Sequence, residues 1–566
     1  MHKDSQIQII QILNSIVGNK RVITKARDTK RFRTGIRVGE GAASAVVFPG
    51  DLIQLWKVIQ ACIEFNKILI IQAANTGLTG GSTPDGYEYD RDIVIINTRF
   101  LDELVLLQGG KQVLAFPGAT LSKLEKILEP LNREPHSIIG SSCIGASVVG
   151  GVCNNSGGNL IKRGPAYTEL SLYARVNSKG QLELINHLGI DLGSSPEEIL
   201  TNLQEKRIDC ENLPITKRKA SDDTYKYLIR DFKANTPARF NSDKNRLYEA
   251  SGCAGKVIVF AVRLDTFEQK KNKKVFYIGT NKPSVFTSIR KRILSDFKEL
   301  PEMAEYMHKT SFDGAEKYGK DTFLLIKFFG KEIIPLLFRL KVLFDSFFSS
   351  FPIFFDEALD KILHYIAELL PDHLPLRVRD YRSKFEHYLI LVASEGVVVE
   401  VNSLLQELQD GDDYFDYFVC KEQEGKDVLL HRYVAGIAPK RFKLLNREST
   451  GELLPLDVAL PRNCEFWDEI ITDEIISKSI ESFQMAHFMC MVFHWDFVLK
   501  KEVQLEAVKS NILQKLDEIK AKYPAEHNVG HLYKADKDLS KFYRDLDPLN
   551  NFNPGIGKLS KRKFYK

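Results

Sequence analysis

The eight cysteines, at positions 62, 143, 153, 210, 253, 420, 464 and 490, form no C-x-x-C pair. That scatter argues against a disulfide framework and reads as buried thiols in a reducing compartment. There is no run of 18 uncharged apolar residues, so no transmembrane helix is expected. The opening "MHKDSQIQIIQIL" lacks a long apolar stretch and a cleavage site, and no signal peptide is expected. A formal net charge of +5 is too small to argue for a nucleic-acid partner, and none is expected. Internal repeats and low-complexity tracts are also missing. What is present is a 566-residue chain, 44% hydrophobic and 27% charged, with the balance of a globular protein and ample length for a sizeable core. Length alone suggests three or four domains, or fewer large ones.

Glycine is where the sequence becomes specific. "AANTGLTGGSTP", residues 73–84, follows the apolar run "KILIIQ". Glycine lets backbone N–H groups approach a phosphate closely. The order is not that of a dinucleotide turn, because Gly77, Gly80 and Gly81 lead into the turn Pro84-Asp85-Gly86 rather than a helix. No lysine follows as in a nucleotide triphosphate loop, so a ligand would rest on backbone alone. By itself the stretch reads equally as an ordinary polar hairpin loop. A second cluster, "IIGSSCIGASVVGGVCNNSGG" from Ile138 to Gly158, cannot form a long stable helix, since each interior glycine costs about 1 kcal/mol. It either packs closely against strands or lines a ligand's flank. Two such clusters, with "FPGAT" between them, point to a large cofactor rather than a lone phosphate.

Along the chain, residues 1 to about 265 alternate strands with amphipathic segments, which suggests an α/β or α+β sheet domain. Near 266 a new strand–helix pattern begins with "KVFYIGT" and "VFTSIRKRILSDF". An aromatic and basic block covers about 308–384, after which strands and helices return. In the C-terminal third, His487 and His494 stand seven apart. On one strand that spacing puts them on opposite faces; on a helix it puts them two turns apart on one face. The surrounding Phe, Met and Val suggest a buried strand or strand-turn, and a pair of this kind is more often core histidine than ligand. Glu526 and His527 place a carboxylate beside a candidate base.

"VVFPG", "AANTGLTGGSTP", "FPGATL", "IGSSCIGASVVGGVCNNSGG" and "ASGCAGKVIVFAVRL" occur in the order seen in the vanillyl-alcohol oxidase and p-cresol methylhydroxylase family. Over its whole length the chain resembles that family's bacterial respiratory, quinone-linked D-lactate dehydrogenases. The resemblance implies an α+β fold: a two-subdomain FAD-binding domain, an α+β cap domain and a basic, aromatic membrane-binding segment. It implies FAD-binding residues 1–265 (core about 39–210) completed by 518–566, a cap at 266–307 and 385–517, and a membrane-binding segment at 308–384. FAD, held non-covalently, would contact Ala73, Ala74, Asn75, Thr76, Gly77, Gly81, Ser82, Gly140, Ser147, Gly157 and Val259. Arg432 falls on the substrate-carboxylate arginine, "DVALPR" (Asp457 to Arg462) on a shared motif, and His527 on the catalytic base. His487, His494 and Glu526 match a divalent-metal set, although "MVF" before His494 departs from the relatives' G-D-G-N. The same histidines could instead bind the hydroxy acid without a metal.

Such residues suit the oxidation of an α-hydroxy acid, with the arginine gripping the carboxylate and a histidine taking the hydroxyl proton, and the resemblance implies D-lactate going to pyruvate. From Phe323 to Phe355, phenylalanines recur beside Lys327, Lys331, Arg339 and Lys341, and Arg377, Arg379, Arg382 and Lys384 follow. Charges break every apolar run, so the block suits an interfacial surface on anionic phospholipid rather than a span. It reads alternatively as a buried pair of cap helices with solvated Lys and Arg. The resemblance implies a peripheral enzyme on the cytoplasmic face of the bacterial inner membrane that delivers electrons to a membrane quinone. A dehydrogenase of another D-2-hydroxy acid with the same acceptor, or a non-catalytic flavin- or lipid-binding protein, would share these features.

Overall fold

A computed structural model describes residues 2–137, 144–330, 358–409 and 414–566. Gly140 and the block residues Lys331, Arg339 and Lys341 lie outside the described residues.

Three main sheets organise the chain. The first holds β1 (Val22–Ile23), β2 (Ala45–Val47), β3 (Ile68–Gln72) and β4 (Ile93–Asn97) in the order β1-β2-β4-β3. Its last three strands are parallel. "IVIIN" of β4 is buried at every position, as a strand covered on both faces must be. The helix Leu52–Glu64 starts at Asp51, whose carboxylate accepts from the Gln54 N–H at 2.7 Å. Its Leu52, Leu55, Trp56, Ile59 and Cys62 recur at helical spacing and are buried against the sheet.

The second sheet is antiparallel, in the order β5-β6-β10-β8-β9, from β5 (Leu104–Leu107), β6 (Gln112–Ala115), β8 (Ser171–Val176), β9 (Leu182–Asn186) and β10 (Ile258–Asp265). A short pair, β7 (Arg133–Glu134) with β11 (Phe267–Glu268), lies beside it.

The third sheet has seven antiparallel strands in the order β15-β12-β14-β13-β17-β18-β16. They are β12 (Lys274–Thr280), β13 (Met303–His308), β14 (His387–Ala393), β15 (Phe415–Val419), β16 (Thr450–Ala459), β17 (Ser479–His487) and β18 (Val492–Lys500). Strand alternation gives it two apolar faces. Phe276, Ile278, Tyr306, Leu391, Ala486 and Trp495 pack with helices Pro283–Asp296, Glu395–Gln409 and Leu505–Glu518. Their neighbours Tyr277, Met307, Tyr388, Ile390 and Met485 point the other way, onto Phe312 and Val428 of helices Lys309–Tyr318 and Glu422–Val434. Burying each such side chain contributes about 1.5–3 kcal/mol.

The tail returns to the first sheet. The Leu69 N–H donates to Asn551 O at 3.0 Å, and the Asn553 N–H donates to Leu69 O at 2.9 Å. The buried Asp547 carboxylate fixes that turn by accepting from the N–H groups of Asn551 and Phe552.

The described basic residues of the aromatic block are less free than the sequence suggests. Lys327 pairs with Asp427, Arg377 with Glu424, Arg379 with Asp372 and Arg382 with Asp313. Among the described residues no helix is long and apolar enough to cross a membrane. The seven cysteines that are described are free thiols.

Candidate active site

One cavity of about 1930 Å³ joins the residues singled out above. Pockets for a single small ligand are typically about 300–1,000 Å³, so this one has room for more than one. At one end it is lined by the loop that leaves β3. Ala73, Ala74, Asn75, Thr76, Gly77, Gly81 and Ser82 all face it, as do Ser147, Gly157 and Val259.

The loop is braced from behind. Gln72 Nε2 donates to the carbonyls of Phe32 and Ser82, both at 2.8 Å, and Asn75 Nδ2 donates to Thr34 O at 2.9 Å. Asn75 sits in the left-handed region at φ 57°. A Cβ added at Gly77 would meet nothing within 4 Å, so this glycine turns bare backbone to the open cavity. Ser147 caps the short helix Val148–Cys153, accepting from the Gly150 N–H at 3.0 Å. Bare peptide beside a large open volume fits a flavin dinucleotide.

The other end is built on the third sheet. The chain turns at Phe488–Cys490, with Met491 at φ 57°, and β18 runs back along β17. Met485 then faces His494, and His487, two residues along from Met485, shares its side of the sheet. The two rings lie 5.1 Å apart. A turn between two strands, rather than one strand or one helix, unites the pair. Register adds the carboxylates: Asp457 of β16 pairs with His494, and Glu305 of β13 pairs with His487.

These carboxylates orient the rings. His487 Nδ1 is 2.7 Å from Glu305 Oε1, and His494 Nδ1 is 3.4 Å from Asp457 Oδ1. The opposite nitrogens converge on Glu526, with Oε2 at 3.4 Å from His487 Nε2 and 3.9 Å from His494 Nε2. Among the described residues, His487, His494 and Glu526 offer ligand atoms within 4.8 Å of one another. Two imidazoles, each backed by a carboxylate and facing a third ligand, form a donor set that fits a divalent cation.

Glu526 and His527 come from a loop tied to both ends. The Asp457 carboxylate accepts from the backbone N–H of Glu526 at 2.8 Å and of His527 at 3.2 Å. Further on, the His531 N–H donates to Thr79 O at 2.9 Å and its Nε2 contacts Thr83 O at 2.8 Å. His527 Nε2 stands 4.0 Å from Asp457 Oδ2, with its side chain 35% exposed to the cavity.

Charge is the dominant force here. Buried Arg239 forms an ion pair with Glu526. Burial works against ionisation of Glu526, yet Arg239 and His487 hold it well below the usual carboxylate range. Burial likewise opposes charge on His487, and Glu305 and Glu526 overcome it, raising the imidazole to about 10. His494 moves the opposite way, because burial and charged His487 both disfavour its protonation. Asp457 and Asp496 are raised by burial, with His527 opposing the shift in both and Arg37 opposing it in Asp496. Arg432, near the end of helix Glu422–Val434, pairs through Nη2 with Glu305 Oε2 at 2.9 Å. Its Nη1 lies 3.2 Å from Met485 Sδ.

Arg239 and Glu305 carry no motif, and sequence reasoning missed both; their partners lie far along the chain. Arg462, within the "DVALPR" motif, is held away from the cavity. It donates to Leu228 O at 2.6 Å and Thr236 O at 3.0 Å, a structural role. Gly157 lines the cavity, and a Cβ there would overlap the Glu526 carboxylate, so it also makes room for that acid.

Fold and site together define an FAD-binding oxidoreductase of the p-cresol methylhydroxylase type. Residues 43–182 match the FAD binding domain, and residues 275–565 match the family described as D-lactate dehydrogenase, membrane binding. The chain is similar to the quinone-dependent D-lactate dehydrogenase of Escherichia coli K12, with 51% identity over 97% of this chain and 96% of that one. The Haemophilus influenzae protein of the same name is 48% identical over 99% of each chain. The chain belongs to the quinone-dependent D-lactate dehydrogenase family. Among solved structures, p-cresol methylhydroxylase with substrate bound shares the fold at a TM-score of 0.59 and 12% identity, covering 98% of this chain and 97% of that one. An alkyldihydroxyacetonephosphate synthase matches at 0.59 and 11%, covering 97% and 84%.

Proposed function

We propose that this protein oxidises D-lactate to pyruvate and passes the electrons through non-covalently bound FAD to a membrane quinone. One observation carries the reading: Arg432, His487, His494, Glu526 and His527 line the same cavity as the bare backbone of residues 73–82. Sequence identity to the D-lactate dehydrogenases supports the choice of substrate and acceptor. FAD, when bound, supplies the two-electron acceptor.

The protein's own residues place and deprotonate the hydroxy acid. Glu305 holds Arg432 by Nη2, so the substrate carboxylate meets Nη1 and displaces the weakly accepting Met485 sulfur. That grip fixes the carbon to be oxidised. His527, anchored by its backbone to Asp457, takes the hydroxyl proton on its exposed ring. His487, His494 and Glu526 would hold a divalent cation, which would polarise the hydroxyl oxygen. The enzyme sits peripherally on anionic phospholipid at the cytoplasmic face of the inner membrane. The membrane-binding family description and the exposed apolar residues around the aromatic block support the membrane association.

Anaerobic mixing with D-lactate should bleach the flavin band, L-lactate should not, and chelator pretreatment should slow bleaching until a divalent metal is restored. Bleaching by another D-2-hydroxy acid alone would move the substrate. No bleaching by any would overturn the reading, and indifference to chelator would leave the histidines as direct substrate ligands.

A further inference from the structure

Beyond Arg432 the cavity continues into a chamber between helices. Asp321 and Ile326 of helix Lys320–Phe329, Leu363 of helix Ala358–Glu368, and Leu429, Leu430 and Tyr433 of helix Glu422–Val434 line it. The last helix is a shared wall, since Arg432 at its end faces the histidine cluster. From Asp427 to Tyr433 it advances about 9 Å at 1.5 Å per residue.

The chamber walls set Leu325, Ile326, Leu363, Leu429 and Leu430 beside charged side chains that are tied up in ion pairs. Arg441 of helix Ala438–Leu445 reaches Asp321 at 2.5 Å and Asp360 at 2.9 Å, tying three helices together. Lys327 holds Asp427 at 2.8 Å across the other side. The outer faces of the same helices are apolar too. Phe328 is 72% exposed and Leu369, just past its helix, is 87% exposed, and Phe329, Ile362, Tyr365 and Ile366 are exposed beside them. Two helices thus separate an apolar outer surface from a leucine-lined chamber that opens on the charged end of the cavity.

We infer that this chamber is the quinone site: an isoprenoid quinone passes between helices Lys320–Phe329 and Ala358–Glu368 and seats its ring beside Leu429, Leu430 and Tyr433. This inference rests on the function proposed above. The occupant is set by the chemistry of the walls. D-lactate is small and charged and has no use for the leucine-lined stretch, whereas an apolar tail packs on Leu325, Ile326, Leu363, Leu429 and Leu430 while a polar ring reaches the charged end. The quinone accepts two electrons and two protons, one proton at each carbonyl oxygen, and leaves as the quinol. The cofactor reduced by the hydroxy acid is reoxidised in the same step.

The test uses the full-length FAD-loaded protein without membranes and a short-tailed quinone. Leu363→Trp and Leu430→Trp fill the chamber from opposite walls. Each should keep anaerobic flavin bleaching by D-lactate within about twofold of wild type and lose tenfold or more in quinone reduction. A short-tailed azidoquinone, photolysed on the wild type, should label peptides from 320–329, 358–368 and 422–434, and excess unlabelled quinone should protect them. Wild-type quinone rates in both variants, or labelling elsewhere on the protein, would overturn the assignment. If the variants do not fold, the wild-type labelling decides alone. Failure of D-lactate to bleach the wild-type flavin would overturn the function itself and is read separately.

Discussion

The two ends of the cavity bind by opposite means. At residues 73–82 the wall is peptide, small side chains and glycine, with no buried ion pair in the lining loop. At the third sheet the wall is a net of buried charges, in which Arg239 balances Glu526, and Glu305 balances both Arg432 and His487. A backbone cradle suits a ligand that stays, because its donors are fixed by the fold and their geometry does not depend on protonation. A charge net suits a ligand that comes and goes, because small displacements redistribute charge where it matters for proton transfer. The loop of Glu526 to His531 touches both ends and couples them.

The contrast breaks most visibly at the charged end. His527→Ala should slow D-lactate-driven flavin reduction by about 10²- to 10⁴-fold, the usual contribution of a general base, with FAD content unchanged. Stopped-flow absorbance reads the rate, and a loss under threefold would remove His527 from the chemistry. Arg239→Met leaves Glu526 buried beside His487 with its main counter-charge gone. Breaking a buried pair costs about 3–5 kcal/mol, and chemical denaturation should show a loss of that order. An unchanged midpoint would mean that His487 alone carries the balance. The mildest effect belongs to the cradle. Gly77→Val places a branched side chain in the open cavity and should weaken FAD binding by about tenfold, or 1.4 kcal/mol. Dialysis followed by flavin quantitation measures it, and full occupancy would detach this loop from the cofactor.

The same contrast decides what the sequence makes legible. A backbone cradle must be written locally, as glycines and small residues in consecutive positions, and so "AANTGLTGGSTP" and the cluster from Ile138 to Gly158 together point to a cofactor before any fold is known. The strand–helix alternation leaves α/β and α+β both open; the resemblance to the flavin family implies the α+β class and the flavin domain, and the family match agrees. A charge net is written across the chain. Glu305 meets His487 only because β13 and β17 are neighbours, and Arg239 meets Glu526 across 287 positions. Arginine and glutamate are common enough that neither signals itself. The histidine spacing leaves strand, helix and strand-turn open, and the turn at Phe488–Cys490 decides among them. "DVALPR" shows the converse: Asp457 serves the site, while Arg462 serves backbone carbonyls elsewhere.

The long reach between the cradle and its braces sets a clock on biosynthesis. Thr83 is held by His531, 448 positions later, and β3 gains its outer partner only from Asn551 and Asn553. A ribosome adding about 5–20 residues per second needs on the order of half a minute to a minute and a half to cover that distance. Throughout that interval the glycine loop has its local braces from Gln72, Phe32 and Thr34 but lacks those from His531. Capture of the dinucleotide therefore marks a nascent chain that has been read nearly to its end, and a prematurely stopped chain would emerge colourless.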